Sequence, residues 1–133
     1  MRSFSMGISR RLALACVLAS LVACDDPLAP FQPEVTSAPD NFQAQATGVS
    51  NVSATRTYTW SNTGTRATVN HSTTTSAGAT RLIIRDAAGT VVYDHALSPS
   101  LNEPTAVGAV GAWTIELRLT DYTGTVNFRA EKL

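Results

Sequence analysis

The sequence is poor in the residues from which enzymes build their sites. Its two cysteines are Cys16 and Cys24, so a chain beginning at Cys24 has no second thiol, which excludes disulfide stapling and a cysteine-built metal site in that form. Its two histidines, His71 and His95, are too few to group visibly into a catalytic triad or a zinc site. No serine stands in a Gly-x-Ser-x-Gly elbow, and no Asp-x-Asp-x-Asp run marks a calcium loop. Ten basic residues match ten acidic ones, so the electrostatic footprint of a nucleic-acid binder is missing. Outside the leader no window carries helical spacing over ten residues.

The leader itself is distinctive. Arg2, Arg10 and Arg11 precede an uncharged, mostly apolar stretch over residues 12–23. A membrane-spanning helix needs about 20 apolar residues, so this stretch is too short to span and instead fits the core of a secretory signal over residues 1–23. Removing it takes three arginines away and leaves seven basic against ten acidic residues, a net charge of −3.

At its end, Leu21-Val22-Ala23-Cys24 resembles the lipobox of bacterial lipoproteins in all four positions. The resemblance implies that the Cys24 thiol takes a diacylglyceryl group, that the chain is cut after Ala23, and that the new amino terminus is acylated. Several acyl chains on one residue make a stable anchor where a single chain holds only marginally. The expected partner is then a lipid bilayer, and the expected place the cell envelope, lipid-anchored to the inner or outer membrane with the domain on the periplasmic or extracellular side. Asp25 resembles the sorting signal that retains lipoproteins of enteric bacteria in the inner membrane. Ser9-Arg10-Arg11-Leu12 partly resembles a twin-arginine motif, with Ala13 where that motif has Phe, so general secretion of an unfolded chain is the expected route.

Residues 24–54 hold Pro27, Pro30, Pro33 and Pro39 among Ala, Gln, Ser and Thr. That composition predicts a lipidated end followed by a flexible linker, about 30 Å in root-mean-square span, with Phe31 and Phe42 as its only aromatics. Asn51-Val52-Ser53 and Asn70-His71-Ser72 match the glycosylation acceptor pattern, but a bacterial lipobox argues against that modification.

Residues 55–133 read as an all-β domain, an antiparallel β-sandwich of jelly-roll or immunoglobulin-like type. Strict alternation places Trp113, Ile115, Leu117 and Leu119 on one face, and Val126, Phe128 and Ala130 repeat it. Asp121-Tyr122-Thr123-Gly124 between them predicts a hairpin turn. Tyr58 and Trp60 share one face, and Ala67, Val69 and His71 another, joined by a turn at Asn62-Thr63-Gly64-Thr65. Asp86-Ala87-Ala88-Gly89 suits a type I turn between Arg81-Leu82-Ile83-Ile84-Arg85 and Thr90-Val91-Val92-Tyr93-Asp94, with Ile83 and Val92 facing outward. Weaker strands are expected around residues 95–97 and 105–110, with Pro99 and Pro104 bounding a loop. Residues 72–78 read as a mobile polar loop.

The run from Gly111 to Arg129, GAWTIELRLTDYTGTVNFR, together with DAAGTVVY from Asp86 to Tyr93, resembles the bacterial pre-peptidase C-terminal domain and related jelly-roll sandwiches. The resemblance implies a non-catalytic accessory beside a secreted enzyme.

The candidate chemistry is sparse. His71 lies on an inward face and is expected to be a hydrogen-bonded core or rim residue. Asp86, Asp94, Glu103 and Asp121 could meet at loop ends around calcium, but turn capping accounts for them more simply. Trp60 and Trp113 alternate with polar residues as core positions do, whereas sugar stacking needs an exposed ring. No catalytic residue, metal ligand or cofactor site is assigned. The sequence points to a membrane-anchored, non-enzymatic envelope lipoprotein whose sandwich serves as an interaction or structural module toward an unknown envelope protein or glycan. The alternative is a carbohydrate- or calcium-binding accessory module, or an accessory to a secreted hydrolase.

Overall fold

The computed structural model describes residues 31–133; the assignments on Ala23, Cys24 and Asp25 lie outside the described residues. Seven strands and no helix make up the described fold: β1 (Glu34–Ala38), β2 (Asn41–Asn62), β3 (Ala67–His71), β4 (Thr74–Arg85), β5 (Val91–His95), β6 (Leu101–Pro104) and β7 (Gly111–Lys132). All pairings are antiparallel, and the fold is the β-sandwich-like all-β architecture that the alternating pattern predicts.

Its frame is a ribbon of the two long strands, β2 and β7, paired from Asn41↔Glu131 to Asn62↔Gly111. The ribbon folds over at its middle. Register shifts fall between Ala46 and Ala54, and on the same level Gly48, Asn51 and Asp121 take positive φ angles of 63°, 48° and 45°. Bulged backbone bends a strand where regular pleating would keep it straight. The bend is pinned by Ser53 Oγ, which donates to Asp121 Oδ1 at 3.2 Å and accepts from Asp121 N at 2.9 Å, while Asn51 N donates to Thr123 Oγ1 at 3.0 Å. The fold-over brings the two ends of β2 together, so that Asp40 N donates to Ser61 O at 2.9 Å.

Each half of the ribbon seeds one layer. In the first, residues 41–46 of β2 and 126–131 of β7 are flanked by β1 on one side and by β3 and then β6 on the other. In the second, residues 54–62 of β2 and 111–119 of β7 continue into β4 and β5. Between the layers lie Phe31, Phe42, Trp60, Leu82, Ile84, Leu97, Trp113, Ile115, Leu117, Tyr122 and Phe128, all fully buried. Phe42 stacks on Phe128 at 5.8 Å between centroids and meets Tyr58 at 5.5 Å.

Several expectations are corrected. The domain does not begin at residue 55: β1 and the first half of β2 occupy the stretch read as linker, and Phe31, Phe42, Ala44, Val49 and Val52 are core residues. Alternating Phe42-Gln43-Ala44-Gln45 buries enough apolar surface there to offset ordering the chain. Asp121 to Gly124 is no hairpin turn but the bend within continuous β7, and Tyr122 is buried there, donating its hydroxyl toward Thr74 O at 2.9 Å. The polar run after Ser72 is ordered as the start of β4, where Thr74 pairs with Thr125 and Thr75 with Gly124. Ile83 and Val92 are both buried, but only Val92 joins the core cluster; Ile83 stands on the opposite face from Leu82 and Ile84. Neither weaker strand forms where expected: β5 ends at His95, residues 105–110 are a loop, and β6 instead occupies Leu101–Pro104, inside the stretch expected to be a loop. Pro104 closes β6, which pairs with β3 alone, so its missing N–H breaks no ladder.

The β4–β5 connection behaves as its sequence predicts. Gly89 N donates to Asp86 O at 3.0 Å, and Asp86 Oδ1 accepts from Ala88 N and Thr90 N. Gly89 takes φ 83°, which suits a residue without Cβ.

Candidate functional site

The first layer has an outer face built of amides. Register places Gln43 opposite Arg129, Arg129 opposite Asn70, and Asn70 opposite Asn102, so four polar side chains stand in one rank across β2, β7, β3 and β6. Thr36 extends the rank onto β1, opposite Gln43. Alternation dictates that these residues point outward, because Phe42, Ala44, Phe128, Ala130, Val69 and His71 between them are buried. A second rank follows two residues along, with Gln45 opposite Asn127 and Ser72 N donating to Asn127 O at 3.0 Å.

A groove of about 310 Å³ runs over this face, lined by Gln43, Thr68, Asn70, Asn102, Asn127 and Arg129, among others. Its charge is balanced locally: Arg129 lies 3.5 Å from Glu131 and donates to Gln43 Oε1 at 3.4 Å. No aromatic or large apolar side chain lines the groove. Asn is disfavoured in strands, yet Asn70, Asn102 and Asn127 sit on three different ones. An amide offers one carbonyl acceptor and two N–H donors, which suits a partner that both gives and takes hydrogen bonds.

A second cluster lies where β5 and β6 approach. His71 is buried, with Nδ1 2.9 Å from Leu97 O and Nε2 3.1 Å from the Tyr93 hydroxyl. A carbonyl can only accept, so Nδ1 carries the proton and Nε2 accepts from Tyr93. Burial, the largest influence, holds the His71 pKa below its ordinary value, and burial also pushes the Tyr93 hydroxyl well above its own, with the nearby Glu103 carboxylate adding to the rise. Glu103 Oε1 is 3.1 Å from His95 Nε2. Both nitrogens of His71 are thus occupied within the fold, and the residue is the hydrogen-bonded core histidine that alternation predicts.

The four candidate calcium carboxylates do not converge. Asp86 accepts from Ala88, Thr90 and Ala109 backbone N–H groups, which hold its pKa below the usual carboxylate range, the Ala109 contact most of all. Asp94 is clasped by Arg81 at 2.7 and 2.9 Å, Glu103 faces His95, and Asp121 serves the ribbon bend. Among the described residues no group of three His, Cys, Asp or Glu is placed to share a metal ion. Trp60 and Trp113 are 1% and 0% exposed, and each indole N–H donates to a backbone carbonyl, of Ala38 and Ala109 respectively.

The amide rank lay beyond sequence reasoning, since its members come from four strands distant in the chain; the alternating Gln43 and Gln45, once read as strand, were the signal nearest to it. No family model matches the chain, and no curated protein matches it either.

Proposed function

We propose that the chain is a lipid-anchored, non-enzymatic binding module of a bacterial cell envelope, held by acylated Cys24 and presenting the outer face of its first layer to a partner. The observation that carries this reading is the succession of a four-residue lipobox ending at Cys24 and a folded domain whose first core residue is Phe31. Only residues 25–30 separate the two, so Cys24 and Phe31 are seven steps apart, a covalent reach of at most about 25 Å. The linker expected over residues 24–54 is therefore reduced to a few residues, because the rest of that stretch belongs to the folded domain. The domain stands close to the bilayer.

Several features support a binding rather than a catalytic role. His71, Asp86 and Asp94 are each committed to contacts that hold the fold, and the likeness of residues 86–93 and 111–129 to pre-peptidase C-terminal domains implies a non-catalytic accessory. The calcium reading has less support, because its candidate ligands are engaged separately.

The test is Cys24→Ser in the full chain, expressed in a bacterial host that processes lipoproteins. The wild-type chain is expected in the membrane fraction and in the detergent phase after cloud-point separation, and the variant is expected unprocessed or in the aqueous phase. Equal partitioning and equal mass for the two would overturn the anchor.

A further inference from the structure

We infer that the amide rank of the first layer is a binding site for a neutral, hydroxyl-rich glycan strand lying across β2, β7, β3 and β6. The inference rests on the reading of the domain as an envelope binding module and names the chemistry of its partner.

Strands in a sheet lie about 4.8 Å apart, so a polymer crossing them perpendicularly meets a fresh polar side chain at each step: Gln43, Arg129, Asn70, Asn102. A sugar hydroxyl both donates and accepts, as the amides do, and each can engage both halves of such a group. The lining argues against other partners. Protein interface cores are enriched in Tyr, Trp, Phe and Met, and pockets for compact organic ligands are mostly apolar, while this groove has neither kind of surface. A polyanion needs uncompensated basic residues, and here Arg129 is offset by Glu131 at 3.5 Å. What remains complementary is an uncharged chain rich in hydroxyls. The site is also open-ended, because β6 pairs with β3 alone and a long strand can run past Asn102 without meeting another element of the sheet.

The three asparagines carry a cost that the fold does not require. Thr or Val at Asn70, Asn102 and Asn127 would suit a pleated strand better. Their side chains point away from the core, so packing does not select them.

The experiment titrates the full-length chain, purified in detergent micelles, with two neutral probes: an oligomer of N-acetylglucosamine and an oligomer of glucose, both β-1,4-linked. Saturable binding of at least one is expected by calorimetry, together with a rise in melting temperature that grows with sugar concentration. The two arms separate recognition of hydroxyls alone from recognition that also needs the acetamido group. Asn70→Ala and Asn102→Ala are each expected to weaken binding by roughly tenfold, through the loss of one amide's hydrogen bonds. Thr57→Ala, exposed on the other layer opposite Glu116, is expected to bind as the wild type does. Melting curves of the variants without sugar check that they fold. The inference is overturned if neither sugar binds the folded wild type at millimolar concentration, or if both asparagine variants bind unchanged. Detergent-phase partitioning of the same preparation keeps the two readings apart: a chain that partitions into detergent but ignores both sugars sinks the glycan site alone, and one that binds sugar but stays aqueous sinks the anchor alone.

Discussion

The indole of Trp60 meets that of Trp113 edge to face, 5.9 Å between centroids and 85° between planes, across a register pair near the Asn62↔Gly111 end of the β2–β7 ribbon. This geometry matches the quadrupoles of the two rings and closes the second layer where both side chains are out of water. Trp113→Ala is expected to cost about 3–5 kcal/mol, read as a fall in urea midpoint. The wild-type chain has no other tryptophan, so iodide should quench its emission little; strong quenching would contradict the buried pair.

Two glycines sit against backbone at the ribbon bend. A Cβ on Gly124 would come 2.0 Å from Thr74 O, and one on Gly78 2.2 Å from Asp121 O, at φ angles of 151° and 75°. Gly124→Ala is expected to destabilise the domain by more than about 3 kcal/mol, since steric overlap adds to backbone strain. Gly89→Ala, at φ 83° with open space around it, should cost only about 1–2 kcal/mol. Thermal melts of the two variants check the order.

Acid should weaken the fold in two stages. His71 has its folded pKa held below the ordinary value of about 6.5 by burial, so the unfolded chain takes up its proton first. The stability it contributes is fully present above that value and is lost as pH falls through it toward the folded pKa. Its neighbours Tyr93, Glu103 and His95 face it from β5 and β6. Asp40, Asp86 and Asp94 have lowered pKa values, from hydrogen bonds to Thr63, to Ala109 and to Arg81 respectively, so their contribution holds above about 4 and disappears at lower pH. His71→Gln is expected to remove the upper stage of a melting-temperature profile against pH and leave the lower one. A wild-type profile flat between pH 7 and 5 would contradict this.

Truncation separates the observed domain from the one composition suggests. A chain starting at Thr55 lacks Phe31, Phe42, Ala44, Val49 and Val52 and is expected to show no cooperative melt by circular dichroism. A chain starting at Phe31 retains them and is expected to melt cooperatively.

Alternation alone made the halves of β7 legible, because Trp113 to Leu119 and Val126 to Ala130 are large or β-branched at nearly every inward position. The β4–β5 turn was legible from Asp86 and Gly89, whose chemistry is local. Residues 34–54 were not, because small alanines at 44 and 46 fill inward positions that a hydrophobic pattern expects to be large, and Pro33 and Pro39 suggest an unstructured stretch while marking only the ends of β1. Asp121 to Gly124 misled for a related reason. Turn residues mark a change of backbone direction, and here the strand bends between layers instead of reversing. The amide rank needs the register of four strands at once, which no local window contains.

The ribbon that frames the sandwich joins the two ends of the domain, with Gln43 and Arg129 in contact though 86 positions apart. Contacts this remote are slow to close and have no local precursor. Phe42 cannot find Phe128, nor Trp60 find Trp113, until the last strand is present. Synthesis therefore delivers almost the whole chain before the contacts of this ribbon can form. Folding becomes an event of completion, begun only when β7 emerges beside a β2 made long before it.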